Sequence, residues 1–103
     1  MSEKYTKGPW NANFTRFSGW AVGFHITDPE HGSLRPICEA YDKTGAMNPD
    51  EIAANARLIA AAPELLWVVR LAISPFYGKP DSECPNWVKP ARAAIAKATG
   101  GAA

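Results

Sequence analysis

A proline at position 63 falls inside the longest helix-forming run of this 103-residue chain and limits what that run can become. The run extends from Asn48-Pro49-Asp50-Glu51-Ile52 to Ala62-Pro63-Glu64-Leu65-Leu66. Its start is well specified. Asn48 can cap the free amides, Pro49 suits the first helical position, and Glu51 stands where a capping box places its acid. Alanine and leucine then extend the helix at almost no propensity cost. Pro63 has no amide hydrogen to donate, and its ring collides with the preceding turn of a helix. The run therefore predicts a helix that is sharply bent, or two helices separated by a break near Ala61 to Pro63, the second with Glu64 in its first turn.

Each half carries an apolar stripe at helical spacing. Ile52, Ala56 and Ile59 form the first, with Leu58 on its flank, and Leu65, Leu66, Val69 and Ile73 form the second. Burying a large aliphatic side chain contributes ~1.5–3 kcal/mol, so the stripes outweigh surface ion pairs. Alanines at 53, 54, 56, 60, 61 and 62 permit close approach to a sheet or another helix. The sheet is expected upstream. Trp10 to Phe17 alternates large and polar residues, Ser18-Gly19 marks a turn, and Trp20 to Thr27 alternates again, which predicts a hairpin. A lone hairpin is not stable in water, so its large-residue face should lie on a helix. Trp10, Trp20, Phe24 and Trp67 are the expected aromatic core.

Asp28-Pro29-Glu30-His31-Gly32-Ser33 reads as a loop, followed by a third strand over about Pro36 to Tyr41. Pro36 belongs at a strand start or edge. Ile37 and Tyr41 are expected to face the helix, with Glu39 near the rim. Ser74-Pro75 ends the second helical stretch, and Pro75 to Pro85 is a loop. A last helix runs from about Asn86 or Pro90 to Ala98, with Val88, Ala91, Ile95 and Trp87 as its inward candidates. The expected fold is α+β: a three-stranded antiparallel meander packed against a central helix broken or bent near Pro63, plus a C-terminal helix. The chain reads as a single domain over 1–103, with flexible ends at 1–7 and 99–103.

The helical segment Asn55-Ala56-Arg57-Leu58-Ile59-Ala60-Ala61-Ala62-Pro63-Glu64-Leu65-Leu66, with Gly8-Pro9-Trp10 upstream, resembles small accessory proteins of tailed bacteriophages and prophages. Most of those have no assigned function, so the resemblance implies a phage accessory protein more than a chemistry. Two features depart from the pattern. The usual continuation is polar and charged, whereas Trp67-Val68-Val69-Arg70-Leu71-Ala72-Ile73 is apolar. Ser74 to Ala103 has no counterpart in the pattern.

Composition narrows the function classes. Hydrophobic residues make up 47% of the chain and aromatics 11%, ample for a packed core. Eleven basic and ten acidic residues leave a net charge of +1, without the basic excess of a dedicated DNA-binding module. Met1 to Lys7 is polar and does not read as a signal peptide, and the apolar run Leu65 to Ile73 is too short to span a bilayer. The expected location is the cytoplasm of a bacterial host cell. In that setting Cys38 and Cys84 are read as reduced thiols, one a small core residue and the other a loop thiol.

No residues are assigned to catalysis, cofactor or metal. His25, Asp28, His31 and Cys38 are metal-ligating types, but their spacing matches no established ligand motif. The carboxylates form no obvious pair, and no P-loop, dinucleotide fingerprint or Gly-x-Ser-x-Gly element occurs. Asn55 and Arg57 interrupt the central helix, either as polar tethers between helix and sheet or as a grip on an acidic partner. The surplus aromatics are more suggestive. Phe14, Phe17, Phe76, Tyr77 and Trp87 exceed what one small core hides, and beside Arg16 and Lys79 they suit a protein interface. The sequence thus predicts a non-enzymatic, phage-encoded binding protein without cofactors, directed at a host protein or complex. A homodimer through the alanine-rich or Trp67 face is also compatible. A nucleic-acid or nucleotide binder is the first alternative, and a small enzyme or metalloprotein the second.

Overall fold

The structure, a computed structural model, describes residues 5–16, 22–32, 35–41 and 48–101, with the backbone alone at 15, 16 and 22. Three strands form one antiparallel sheet in the order β1-β2-β3: β1 (Asn11–Arg16), β2 (Val22–Thr27) and β3 (Cys38–Tyr41). Helix α1 (Pro49–Ala60) follows, then α2 (Ala62–Ile73), two single 3-10 turns, and α3 (Val88–Ala98). The architecture is α+β, as the sequence predicts. The chain divides into two compact units, one ending at Pro63 and the other starting at Glu64.

In the first unit the register explains the faces. Ala12 pairs with Ile26 and Phe14 with Phe24, while Cys38 and Ala40 pair with Ile26 and Phe24 from the other side. Alternation puts these six residues on one face of the sheet. Ile26 is fully buried at its centre, and Phe14 and Phe24 meet edge to face with ring centroids 5.9 Å apart. Helix α1 lies chiefly across β2, and its buried residues are Ile52 and Ala56. The methyl of Ala56 has no exposed surface, so the helix approaches closely there. The third strand corrects one expectation. Glu39 and Tyr41 share the opposite face with His25 and Gly23, so Tyr41 does not point toward the helix. Both phases of this four-residue strand carry apolar side chains, and alternation alone could not choose between them.

Both ends of α1 follow local chemistry. Asn48 Oδ1 accepts from the Asp50 amide at 2.7 Å, and Pro49 occupies the first position. At the other end the Ala61 amide donates to the Arg57 carbonyl at 3.0 Å, and the next helix starts at Ala62 with Pro63 in its first turn. The break falls where Pro63 demands it. Gly8 lies against this end: a Cβ built there would stand 2.9 Å from Pro63 Cβ, so only glycine fits without a shift. The Gly8–Pro9 bond is cis, and the Trp10 indole N–H donates to the Thr6 carbonyl at 3.0 Å. The predicted turn at Ser18-Gly19, with Phe17 and Trp20 beside it, lies outside the described residues.

In the second unit, α2 buries no residue completely. Leu66, Val69 and Ile73 are half-buried along one side. Leu65, Val68 and Leu71 are exposed, and Trp67 is 62% exposed, which corrects its place in the core and that of Leu65 in the stripe. Leu58 on α1 is likewise 64% exposed. A helix that is apolar nearly all round does not announce which side is covered. In α3, Val88 is fully buried, Ala91 and Ile95 are half-buried, and Trp87 is 45% exposed at the cap rather than turned inward. Pro90 stands in the first turn of α3, where its missing amide costs no helical bond.

These placements separate core from surface experimentally. Ile26→Ala should lower stability by about 2–5 kcal/mol in urea titration. Leu58→Ala should change it by less than about 0.5 kcal/mol, as for an ordinary surface position.

Candidate functional site

Two polar clusters occupy the first unit. On the sheet face opposite Ile26, His25 Nε2 lies 3.1 Å from Glu39 Oε2, and Asn13 Nδ2 donates to Thr27 Oγ1 at 2.8 Å. His25 and Cys38 stand on opposite faces, because His25 pairs with Glu39 and Cys38 with Ile26. They do not converge on one ion. Burial, and then the neighbouring Glu39 carboxylate, push the Cys38 thiol above its usual range. Cys38 and Cys84 are both free, half-buried thiols.

The second cluster is the turn after β2. Asp28 is buried, its carbonyl accepts from the Gly32 amide at 2.9 Å, and Gly32 supplies the left-handed conformation the turn requires. Asp28 Oδ2 lies 3.0 Å from His31 Nδ1, and a guanidinium nitrogen of Arg35 lies 3.0 Å from the same imidazole nitrogen. Nδ1 serves one neighbour at a time: protonated it donates to Asp28, and bare it accepts from Arg35. Ligand-capable atoms of Asp28, Glu30 and His31 all fall within 4.8 Å of one another, and Asp28 Oδ1 has no hydrogen-bond partner among the described residues. The guanidinium of Arg35, however, already brings positive charge to His31 Nδ1. The cluster is better suited to closing the turn than to holding a cation.

The hydrogen bond from His31 holds the Asp28 carboxyl below its ordinary value, and the charges of His31 and Arg35 act in the same direction against burial. A carboxylate whose folded pKa is depressed adds stability that is complete above its unfolded pKa of about 3.8 and is lost as pH falls below that. Asp28→Asn should therefore destabilise the protein at pH 7 and flatten the loss of stability below about pH 4, as read from urea midpoints across pH.

The second unit holds the more unusual constellation. Arg92 on α3 reaches back to the loop between α2 and α3. It donates to Asp81 Oδ1 at 2.6 Å and to the carbonyls of Phe76 and Lys79 at 2.9 and 3.0 Å, and its guanidinium lies 3.9 Å from Cys84 Sγ. Its planar fork bonds two loop carbonyls and the Asp81 carboxylate at once. The Cys84 thiol donates to the Pro80 carbonyl at 3.4 Å. Phe76 meets Trp87 edge to face, with centroids 5.7 Å apart. Around this clasp is an open cavity of about 270 Å³ lined by Ile73, Tyr77, Gly78, Lys79, Arg92 and Ile95. Tyr77 stands 92% exposed at its edge.

Of the expected interface residues, Phe76, Tyr77, Lys79 and Trp87 thus come together in the second unit. Phe14 lies in the first, 64% exposed; the side chain of Arg16 and all of Phe17 lie outside the described residues. A nucleic-acid binder would need Arg16, Lys43, Arg57 or Lys79 to cluster on one surface; Lys43 lies outside the described residues as well, and Arg57 is exposed in the last turn of α1. Sequence reasoning missed Arg92. Its only signal was one of three basic residues on a short helix that follows a loop with two acids, a pattern too common to single out.

What the fold and surface define is a small α+β protein with aromatic side chains displayed around a clasped loop. The chain belongs to the family of Salmonella phage P22 protein Y8K6, whose model it matches over residues 1–102. It is a phage accessory protein, and the match extends through the C-terminal segment that the helical motif alone left without a counterpart. No curated protein and no solved structure matches it. Among the described residues no single helix is long and apolar enough to cross a membrane.

The clasp makes its own prediction. Arg92→Lys keeps the charge but loses the fork, and should cost on the order of 1 kcal/mol. Amide hydrogen exchange should accelerate across 76–84 while β2 keeps its protection.

Proposed function

We propose that this protein is a non-enzymatic phage factor that works inside the bacterial host by covering the working surface of a host protein. Its most concrete form is inhibition of an antiviral defence complex, an anti-CRISPR type of role. One observation carries this reading: the second unit leaves Trp67, Val68, Leu71, Tyr77 and Trp87 exposed. Exposed apolar patches mark interaction sites on proteins, and aromatic residues dominate interface energetics. Val68 and Leu71 are three residues apart on α2, and Trp67 and Leu71 are four apart, so all three share its exposed side. A preformed surface also suits occlusion, because little ordering entropy is then lost on binding.

The test is an affinity pull-down from host lysate with the wild type and a Trp67→Ala/Tyr77→Ala double variant, alongside sizing chromatography of the pure protein. The expected result is a host protein retained by the wild type and depleted at least tenfold by the variant, the loss of two interface anchors being worth more than about 1.4 kcal/mol. Retention of nucleic acid or metal without a protein partner counts against occlusion. A wild-type dimer that the double variant dissolves, with no host protein bound, assigns this surface to self-association instead.

A further inference from the structure

We propose that the cavity beside the Arg92 clasp is an anchor site for an acidic segment of the partner protein, one that presents a large apolar side chain next to an aspartate or glutamate. This rests on the occlusion reading and names the chemistry of what is covered. The size comes first. At about 270 Å³ the cavity falls below the ~300–1,000 Å³ of sites that enclose drug-sized ligands, so it suits a side chain or two rather than a cofactor. Ile73 and Ile95, both half-buried, give it apolar walls one from each helix.

Charge sets the second requirement. Two cationic residues line the cavity, and they are not equivalent. Arg92 is committed to Asp81 and to the Phe76 and Lys79 carbonyls, so its charge is offset and its fork occupied. The ammonium of Lys79 has no ion pair among the described residues, and Lys79 is exposed at the rim. An entering apolar group therefore brings its neighbour within reach of one uncommitted positive charge, which selects a carboxylate.

Preorganisation is the third element. The Lys79 amide donates to the Phe76 carbonyl at 3.0 Å across Gly78, whose φ of +83° favours glycine. Arg92 then ties both carbonyls of that turn to α3. Tyr77, held at the apex, is left to close over whatever enters. An exposed aromatic at the rim of a small apolar pocket is the composition of an interface hot spot.

The experiment uses the full chain, labelled with nitrogen-15, and two short peptides that differ only in flanks: one leucine between glutamates, the other between lysines. Amide shifts of Tyr77, Gly78 and Lys79 should respond to the glutamate peptide. Lys79→Met should weaken that binding ~fivefold, the size of an exposed ion pair, and Lys79→Glu should make the lysine peptide the tighter of the two. Thermal unfolding of each variant at the wild-type midpoint keeps the comparison clean, Lys79 being exposed. Equal response to both peptides, shifts confined to other residues, or no shift at any soluble concentration overturns the assignment. So does a captured host protein that binds Lys79→Glu as tightly as wild type, an outcome that leaves occlusion standing. Capture of no host protein defeats occlusion itself, even where the acidic peptide binds.

Discussion

Ile52 and Ala56, one turn apart on α1, are the helix's two buried residues, and Ile26 is the fully buried centre of the sheet that the helix crosses. Uncovered, the apolar face of the three short strands would stay in water, and an isolated twelve-residue helix is marginal. Each supplies what the other lacks. Ala56 matters because it is small: the closer the axis comes to the sheet, the more completely Ile26 is removed from solvent. The sheet face behind this contact can then be polar, and it carries Asn13, Thr27, His25 and Glu39 in hydrogen-bonded pairs.

The two halves of the phage-like pattern meet at the end of that helix. Gly8 rests on the Pro63 ring, at a distance that leaves no room for a Cβ. A glycine near the start and a proline 55 positions later thus answer a single steric demand. Pro63 ends one unit by local chemistry, and the glycine lets the N-terminal segment close against that end.

The second unit is organised differently. It has little fully buried surface, Val88 being its one completely buried large side chain among the described residues. Arg92 compensates with directed bonds, gathering Asp81 and two carbonyls so that the loop from Phe76 to Cys84 keeps one shape. That economy of core is why aromatic residues remain outside. The near-neutral net charge also conceals a division: residues 1–63 carry one more acid than base, whereas 64–103 carry two more bases than acids. Trp67, Tyr77 and Trp87 are displayed in the same unit that carries the excess positive charge.

Much of this was legible from the chain alone wherever the cause was local. Asn48 and Pro49 set a helix start, Pro63 set its end, Pro90 required a first-turn position, and period-two alternation marked β1 and β2. Each follows from backbone geometry and nearest neighbours, which a sequence states directly. The tertiary structure alone decided which phase of β3 meets the helix face, which side of α2 stays in water, and that Trp67 and Leu58 are displayed rather than buried. It also decided that Arg92, 16 residues from Phe76, would shape the candidate site. Those outcomes depend on groups far apart in the chain competing for a limited amount of covered surface, and no local pattern ranks the competitors.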